Sequence, residues 1–222
     1  GDRMRFRTHH PPHPGGPAGT GRHIPNCAAA PVDAAPTDRA SLNTPEGVPL
    51  LLAMGRLHDS KAHDVSLTAL AKIPDAHLWI AGVGGLEAKL RAMAHVLGVS
   101  ERVRFLGWRT DPSALYRAAD ICVFPSRYEP LGNVVIQSWA HGLPVIAAAS
   151  QGPSALIRDN EDGLLVPIDD AQALAEGVNR LIADPILRAR LVQQGAQRVE
   201  AEFSPTAVVA QWRELFADFG AQ

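Results

Sequence analysis

Residues 125 to 145 read P-S-R-Y-E-P-L-G-N-V-V-I-Q-S-W-A-H-G-L-P-V. One apolar run, Ile121 to Phe124, precedes them and another, Val145 to Ala149, follows. Each is short enough for a buried strand. Between them Ser126 and Pro130 favour a turn. Gly132-Asn133 suits a helix start, Val134, Val135, Ser138 and Trp139 recur at helical spacing, and Gly142 with Pro144 stops the helix. The order is strand, polar loop, helix, strand. The first N–H groups of a helix lack intrahelical acceptors, so a turn of this kind is an anion site. Glu129 sits just before it. A carboxylate repels phosphate, so its natural partner is a hydroxyl-rich group beside the anion. The two features together outline a site for a sugar phosphate or nucleotide sugar.

On the amino-terminal side, Leu50 to Met54 and Ala76 to Ala81 are apolar runs, and Arg102 to Leu106 reads as a strand ending at Gly107-Trp108. Helical patterns fall after the first two, through Val65, Leu67 and Leu70 and from Leu86 to about Leu97, and a short helix spans Pro112 to Ala118. On the carboxyl-terminal side, Gly152-Pro153 opens a helix to Ile157, and Gly163 to Val166 is a small strand. Asp169-Asp170 caps a helix from Ala171 to Ala183, Asp184-Pro185 starts one reaching about Glu202, and Ser204-Pro205 starts the last, ending near Phe219. Strands that are continuously apolar rather than alternating predict a parallel sheet covered by helices on both faces, an α/β, Rossmann-like three-layer domain. Ligands of such sheets bind at the carboxyl ends of the strands. Every polar motif named above follows a strand.

Composition narrows the function classes. The chain has 222 residues, 46% of them hydrophobic, enough for a substantial core, and a net charge of -2. Nothing in that balance points to nucleic acid. Cys27 and Cys122 stand far apart, which predicts no disulfide framework and a reducing compartment. No apolar stretch approaches the ~18 residues of a membrane span, and the start lacks the apolar middle of a signal peptide. Residues 1–49 hold half of the 18 prolines and four of the nine histidines. They read as a Pro/Gly-rich lead-in and linker, largely disordered or extended, with 50–222 as the folded domain. The clustered histidines lack the acidic or cysteine partners of a metal site, so no metal is expected.

Several groups can carry chemistry. Arg56 and Lys61 follow the first strand, where a guanidinium fork and an ammonium can clamp a diphosphate or stand merely solvated. The loop Gly82-Val83-Gly84-Gly85 permits close backbone approach but lacks the dinucleotide fingerprint. Trp108 can stack on a base or pack over the sheet edge. Tyr128 reads as a lid on the core, and His141 as a helix cap rather than a base. Ser126 has no G-x-S-x-G context.

Four separated motifs, in order, resemble one family. G-R-L-x-x-x-K at Gly55 to Lys61, the glycine loop, V-x-F-L-G-W at Val103 to Trp108, and the stretch Pro125 to Val145 are similar to the nucleotide-sugar-binding half of retaining glycosyltransferases of family four. Those enzymes have two Rossmann-like domains, the GT-B fold, and the resemblance makes this chain the carboxyl-terminal one from about residue 48. Arg22 to Asn26 resembles the crossover joining the halves. Residues 149–153 and 163–167 are similar to bacterial members that build lipopolysaccharide or other surface glycans.

The resemblance implies roles. Arg56 and Lys61 would grip the donor diphosphate at the reacting bond, and Glu129, first acid of an E-x7-E signature, would lie by the donor sugar. Gly84 would let its loop approach, Trp108 would face the base, and Gly132, Asn133 and Val134 would offer backbone groups to phosphate. The second acid, a ribose ligand, is replaced by Gln137, whose amide oxygen still accepts a hydroxyl hydrogen bond. Ala62 replaces a glycine. The donor would be a UDP- or GDP-sugar, with no other cofactor and no divalent metal. The acceptor, a glycan or glycolipid, and a catalytic histidine would come with an amino-terminal domain that has no counterpart in residues 1–49. The last helix, with Val208, Val209, Trp212, Leu215, Phe216 and Phe219, would pack on that domain. The implied setting is cytoplasmic, with peripheral association at the inner face of the membrane. A non-catalytic nucleotide-sugar-binding module and a UDP-sugar isomerase-like enzyme remain alternatives. A nicotinamide dehydrogenase is disfavoured, because the first strand leads into G-R-L rather than G-x-G-x-x-G.

Overall fold

In the computed structural model, residues 26–28 and 33–220 are described, the last two by their backbone only. The histidine-rich stretch and Arg22 to Pro25 lie outside them. Six strands form the sheet: β1 (Leu50–Met54), β2 (His77–Ala81), β3 (Val103–Gly107), β4 (Ile121–Phe124), β5 (Val145–Ala148) and β6 (Leu164–Val166). They run in the order β3-β2-β1-β4-β5-β6, and every pairing is parallel. Helices α1 (His63–Leu70), α2 (Glu87–Val96), α3 (Pro112–Ala118), α4 (Asn133–Ala140) and α5 (Gln151–Leu156) make the crossovers. α6 (Ala171–Ala183), α7 (Pro185–Arg198) and α8 (Pro205–Gly220) follow the last strand.

The continuous apolar strands are explained by two cores. Successive side chains of a strand point to opposite faces. Leu51 and Ala53 of β1 enter a core with Leu67 and Leu70 of α1, Leu90 of α2 and Val178 of α6. Leu50 and Leu52 enter the other, with Leu115 of α3, Val135 and Trp139 of α4 and Phe203. A strand buried on both faces has no polar positions to alternate.

Residues 33–49 are tied to the domain rather than standing free as a linker. Arg39 donates to Ala118 O and ion-pairs with Asp120 at 3.0 Å, and the same carboxylate accepts from Leu50 N at 2.8 Å. Thr44 Oγ1 accepts from the buried Trp79 indole at 2.8 Å. Both bonds satisfy polar groups that burial would otherwise leave unpaired. The helix expected to reach Glu202 instead ends at Arg198, and a wide π turn, Val199–Phe203, follows. It sets Phe203 into the core, 6.0 Å from the Trp139 ring. On α8, Val208 is buried while Val209, Trp212 and Phe216 are exposed. No described helix is long and apolar enough to cross a membrane.

Candidate functional site

The sheet starts at β1 and grows outward in both directions, so the chain leaves β1 and β4 on diverging paths. The crevice between those exits, at the carboxyl ends, is where an open parallel sheet takes ligands. Leaving β1, the chain passes exposed Arg56 and enters a 3-10 turn, Asp59–Lys61. His58 caps that turn by accepting from Ser60 N. Ala62 then takes φ 53°, a conformation an alanine adopts under strain and a glycine adopts freely. This turn folds Lys61 back over the crevice, its Nζ 5.5 Å from the centre of the Phe124 ring at the end of β4.

Leaving β4, the chain brings Glu129 to meet it. Lys61 Nζ lies 2.5 Å from Glu129 Oε2. Oε1 accepts from Leu131 N at 3.2 Å and Gly132 N at 3.0 Å. Burial pushes the Glu129 carboxyl up, but the Lys61 ammonium and the Gly132 and Leu131 N–H groups outweigh it and hold the acid below its ordinary range. Glu129 is therefore a buried, ionised, three-donor carboxylate and not a solvated one. The expected use of Gly132 changes with it. Its N–H is already taken by Glu129, and glycine is required there for φ 73° and because a Cβ would lie 2.7 Å from Leu156 Cδ1. Asn133 and Val134 open α4, and their N–H groups have no protein acceptor among the described residues.

A cleft of about 680 Å³ opens on the β1–β3 side, with Gly55, Arg56, Lys61, Val83, Trp108 and Pro112 among its walls. Trp108 is 76% exposed, so it does not cover the sheet edge. Its indole lines the same cleft as the two cations. Tyr128, expected as a lid on the core, is likewise exposed. Gly84 is not on the cleft wall. A Cβ there would lie 2.4 Å from Leu57 O, so the absent side chain serves the seam between the β1 and β2 loops, where Leu57 N donates to Val83 O at 3.0 Å.

Gln137, half-buried on α4, faces a different hollow of about 350 Å³, shared with Asn26, Cys27, Asn133 and Ile136. Asn26 Nδ2 donates to Asn133 Oδ1 at 3.1 Å, which brings the chain before the sheet against the helix start. The structure thus groups Arg56, Lys61 and Trp108 in one cleft and Asn133 with Gln137 in another hollow. His141 is a cap, with Nδ1 2.7 Å from Gln137 O and its ring stacked on Tyr116.

Two residues near the site escaped the sequence reading. Buried His63 has Nε2 3.3 Å from Gly55 O, and burial pushes its pKa down, favouring the neutral ring. Arg127, between the strand and Glu129, binds the carboxylates of Asp64 and Asp169. Neither belongs to a recognisable spacing: His63 turns back on a backbone oxygen of its own loop, and the carboxylate partners of Arg127 come from other elements. Among the described residues no group of three or more His, Cys, Asp or Glu is placed to hold a metal ion.

A doubly wound parallel sheet with a polar crevice at its point of reversal places the molecule among Rossmann-like α/β domains. The chain belongs to the glycosyl transferases group 1, whose family model matches residues 34–198. It is 40% identical over 180 residues to the lipopolysaccharide core biosynthesis glycosyltransferase LpsE of Rhizobium meliloti, a match covering 81% of this chain and 53% of that protein. Among solved structures, sucrose-phosphate synthase from Thermosynechococcus elongatus superposes with a TM-score of 0.78 at 34% identity, over 90% of this chain and 53% of that one. Anabaena HepE, solved in complex with UDP-glucose, superposes with a TM-score of 0.74 at 26% identity, over 78% and 49%. The chain spans about half the length of these relatives, and its fold is that of one half of a GT-B protein.

Proposed function

We propose that this chain is the carboxyl-terminal, donor-binding half of a retaining glycosyltransferase. It would move a sugar from a nucleoside diphosphate sugar to an acceptor hydroxyl in the synthesis of bacterial lipopolysaccharide or another surface glycan. One arrangement carries the reading: Arg56, Lys61 and Trp108 line one cleft, and Lys61 pairs across the exits of β1 and β4 with the ionised Glu129. LpsE and the UDP-glucose complex of HepE support it.

The parts divide the labour as follows. As the bond to the anomeric carbon breaks, charge develops on the leaving diphosphate. Arg56, Lys61 and the N–H groups of Asn133 and Val134 stabilise it without a bound metal ion. Glu129, already ionised, keeps lone pairs to accept from hydroxyls of the donor sugar. Trp108 offers its face to the base, and Gln137 accepts from a ribose hydroxyl. Transfer also needs an acceptor held in line with the donor, which one Rossmann half cannot supply. The 222-residue chain alone is therefore a binder without transferase activity, and the whole enzyme works on a glycan or glycolipid acceptor at the inner face of the membrane.

Calorimetric titration with UDP, GDP and UDP-glucose, beside an assay for sugar transfer, tests this. The expected result is nucleoside diphosphate binding and no transfer. Absence of binding to all three would overturn the donor site, and robust transfer by this chain would overturn the division into halves.

A further inference from the structure

Three consecutive residues of the loop after β4 bond to three consecutive residues of the loop after β1. Arg127 Nη1 donates to Asp59 O at 2.9 Å, Tyr128 N donates to Ser60 O at 3.3 Å, and Lys61 Nζ donates to Glu129 Oε2 at 2.5 Å. The loops run in register across the crevice. Of these bonds, the Tyr128 contact is long and the Lys61 contact hangs on a flexible four-carbon stem. Arg127 is the rigid member. Its Nη1 and Nη2 also hold Asp64 Oδ1 and Oδ2, at 3.0 and 2.6 Å, and its Nε holds Asp169 Oδ1 at 2.5 Å. Asp64 lies in the first turn of α1, and Asp169, at φ 63°, follows β6. One planar guanidinium therefore joins the exits of three strands, β1, β4 and β6.

An arginine two residues from Glu129 would ordinarily be read as a phosphate ligand. Here Nε, Nη1 and Nη2 are each committed to protein acceptors, and two carboxylates meet the charge. The side chain has little left to offer an anion.

We propose that Arg127 is a positioning residue: it locks the register of the two loops, and through that register it sets Lys61 against Glu129 in the geometry that receives the diphosphate. The inference rests on the donor-site reading, but one of its consequences does not need a nucleotide. Glu129 is held below the ordinary carboxylate range in large part by Lys61, and Arg127 itself makes no contact with its carboxylate. Loosening the register must let the Glu129 pKa rise.

The experiment follows the Glu129 carboxyl carbon by NMR through an acid titration, in the parent chain, Arg127→Lys and Asp64→Asn. UDP affinity is measured in parallel. Arg127→Lys keeps the charge and loses the fork. Asp64→Asn leaves Arg127 in place and removes one carboxylate partner, so a folded variant is available if the other misfolds. Both should raise the Glu129 pKa and weaken UDP binding, by about tenfold for Arg127→Lys. In a Lys61→Ala background, Arg127→Lys should cost almost nothing more, because the pair it positions is gone. An unmoved Glu129 titration in folded variants overturns the inference, as does a full additive loss beside Lys61→Ala. If the parent chain fails to bind UDP, the donor reading falls and the titration alone decides the register.

Discussion

Lys61 Nζ and Glu129 Oε2 lie 2.5 Å apart, a cation from the exit of β1 against an acid from the exit of β4, with their side chains only 18% and 11% exposed. A pair this sheltered has a lopsided energetics. Its net worth is small, yet removing one partner leaves a buried charge unmet. Lys61 is thus both a candidate diphosphate ligand and the counter-charge that makes Glu129 tolerable beside an anion.

Arg56 and Lys61 should consequently behave differently. Arg56 is exposed. Arg56→Ala should weaken UDP binding by about 1–3 kcal/mol, the scale of a lost charge-assisted contact, and leave stability within about 0.5 kcal/mol. Lys61→Ala should weaken UDP binding more than Arg56→Ala, because the uncovered carboxylate then faces the phosphates, and it should also lower stability. Adding Glu129→Gln to Lys61→Ala should recover part of the lost stability. Calorimetry beside urea melts measures both quantities, and equal effects of the two alanine variants would show that the pair is not coupled.

The acid dependence of stability follows from the same pair. The folded Glu129 pKa is lowered, so the unfolded chain binds more protons at acid pH. The contribution of Glu129 is complete above its unfolded value, about 4.3, and is lost as the pH falls through the folded one. His63 acts earlier. Burial lowers its folded pKa, so stability begins to fall as the pH drops through the ordinary histidine value near 6.5. Urea melts at pH 7.5, 5.5 and 3.5 should show two successive declines. Glu129→Gln should reduce the lower one, which Asp64, Asp111 and Glu202 share, and leave the upper one, which His77 shares with His63, intact.

Trp108 lets the proposed base contact be tested apart from the fold. Its indole is 76% exposed, so Trp108→Ala should change stability by no more than about 0.5 kcal/mol. If the ring stacks on the base, UDP binding should weaken by about 1–3 kcal/mol, while pyrophosphate binding stays put. Equal losses for the two ligands would mean that the substitution perturbs the neighbouring cations and not a stacking platform.

What the sequence discloses and what it hides divide along the range of the interaction. β1, β4, α3 and α6 have the bounds expected from apolar runs, prolines and aspartates, because those signals are local. The order β3-β2-β1-β4-β5-β6 is not written in any local signal, and it is what brings Lys61 and Glu129, 68 positions apart, to one crevice. The π turn at Val199–Phe203 was invisible, since no glycine or proline marks it and an extra residue per turn serves only to seat Phe203. Gly84 was legible as a glycine, but its neighbour Leu57 was not. Arg127 looked like a loop residue because its partners, Asp64 and Asp169, are 63 and 42 positions away.

Gln137 is the residue on which sequence and structure press hardest. Its neighbours Ile136, Ser138 and Trp139 are buried, and Gln137 lines the hollow with Asn26 and Asn133. Yet that hollow shares no lining residue with the cleft of Arg56, Lys61 and Trp108. A nucleotide touching all of them must cross the N-terminus of α4, where the Asn133 and Val134 N–H groups are open. If a nucleotide on that path sets its ribose against Gln137, Gln137→Glu should tighten UDP binding by up to about 1 kcal/mol, the surplus of a charge-assisted bond. Pyrophosphate, with no ribose, should bind nearly as before. Equal gains for both ligands would trace to a shifted backbone. Weaker binding of both would place the new charge against the phosphates, and Gln137 would then belong to the anion site rather than the sugar of the nucleotide.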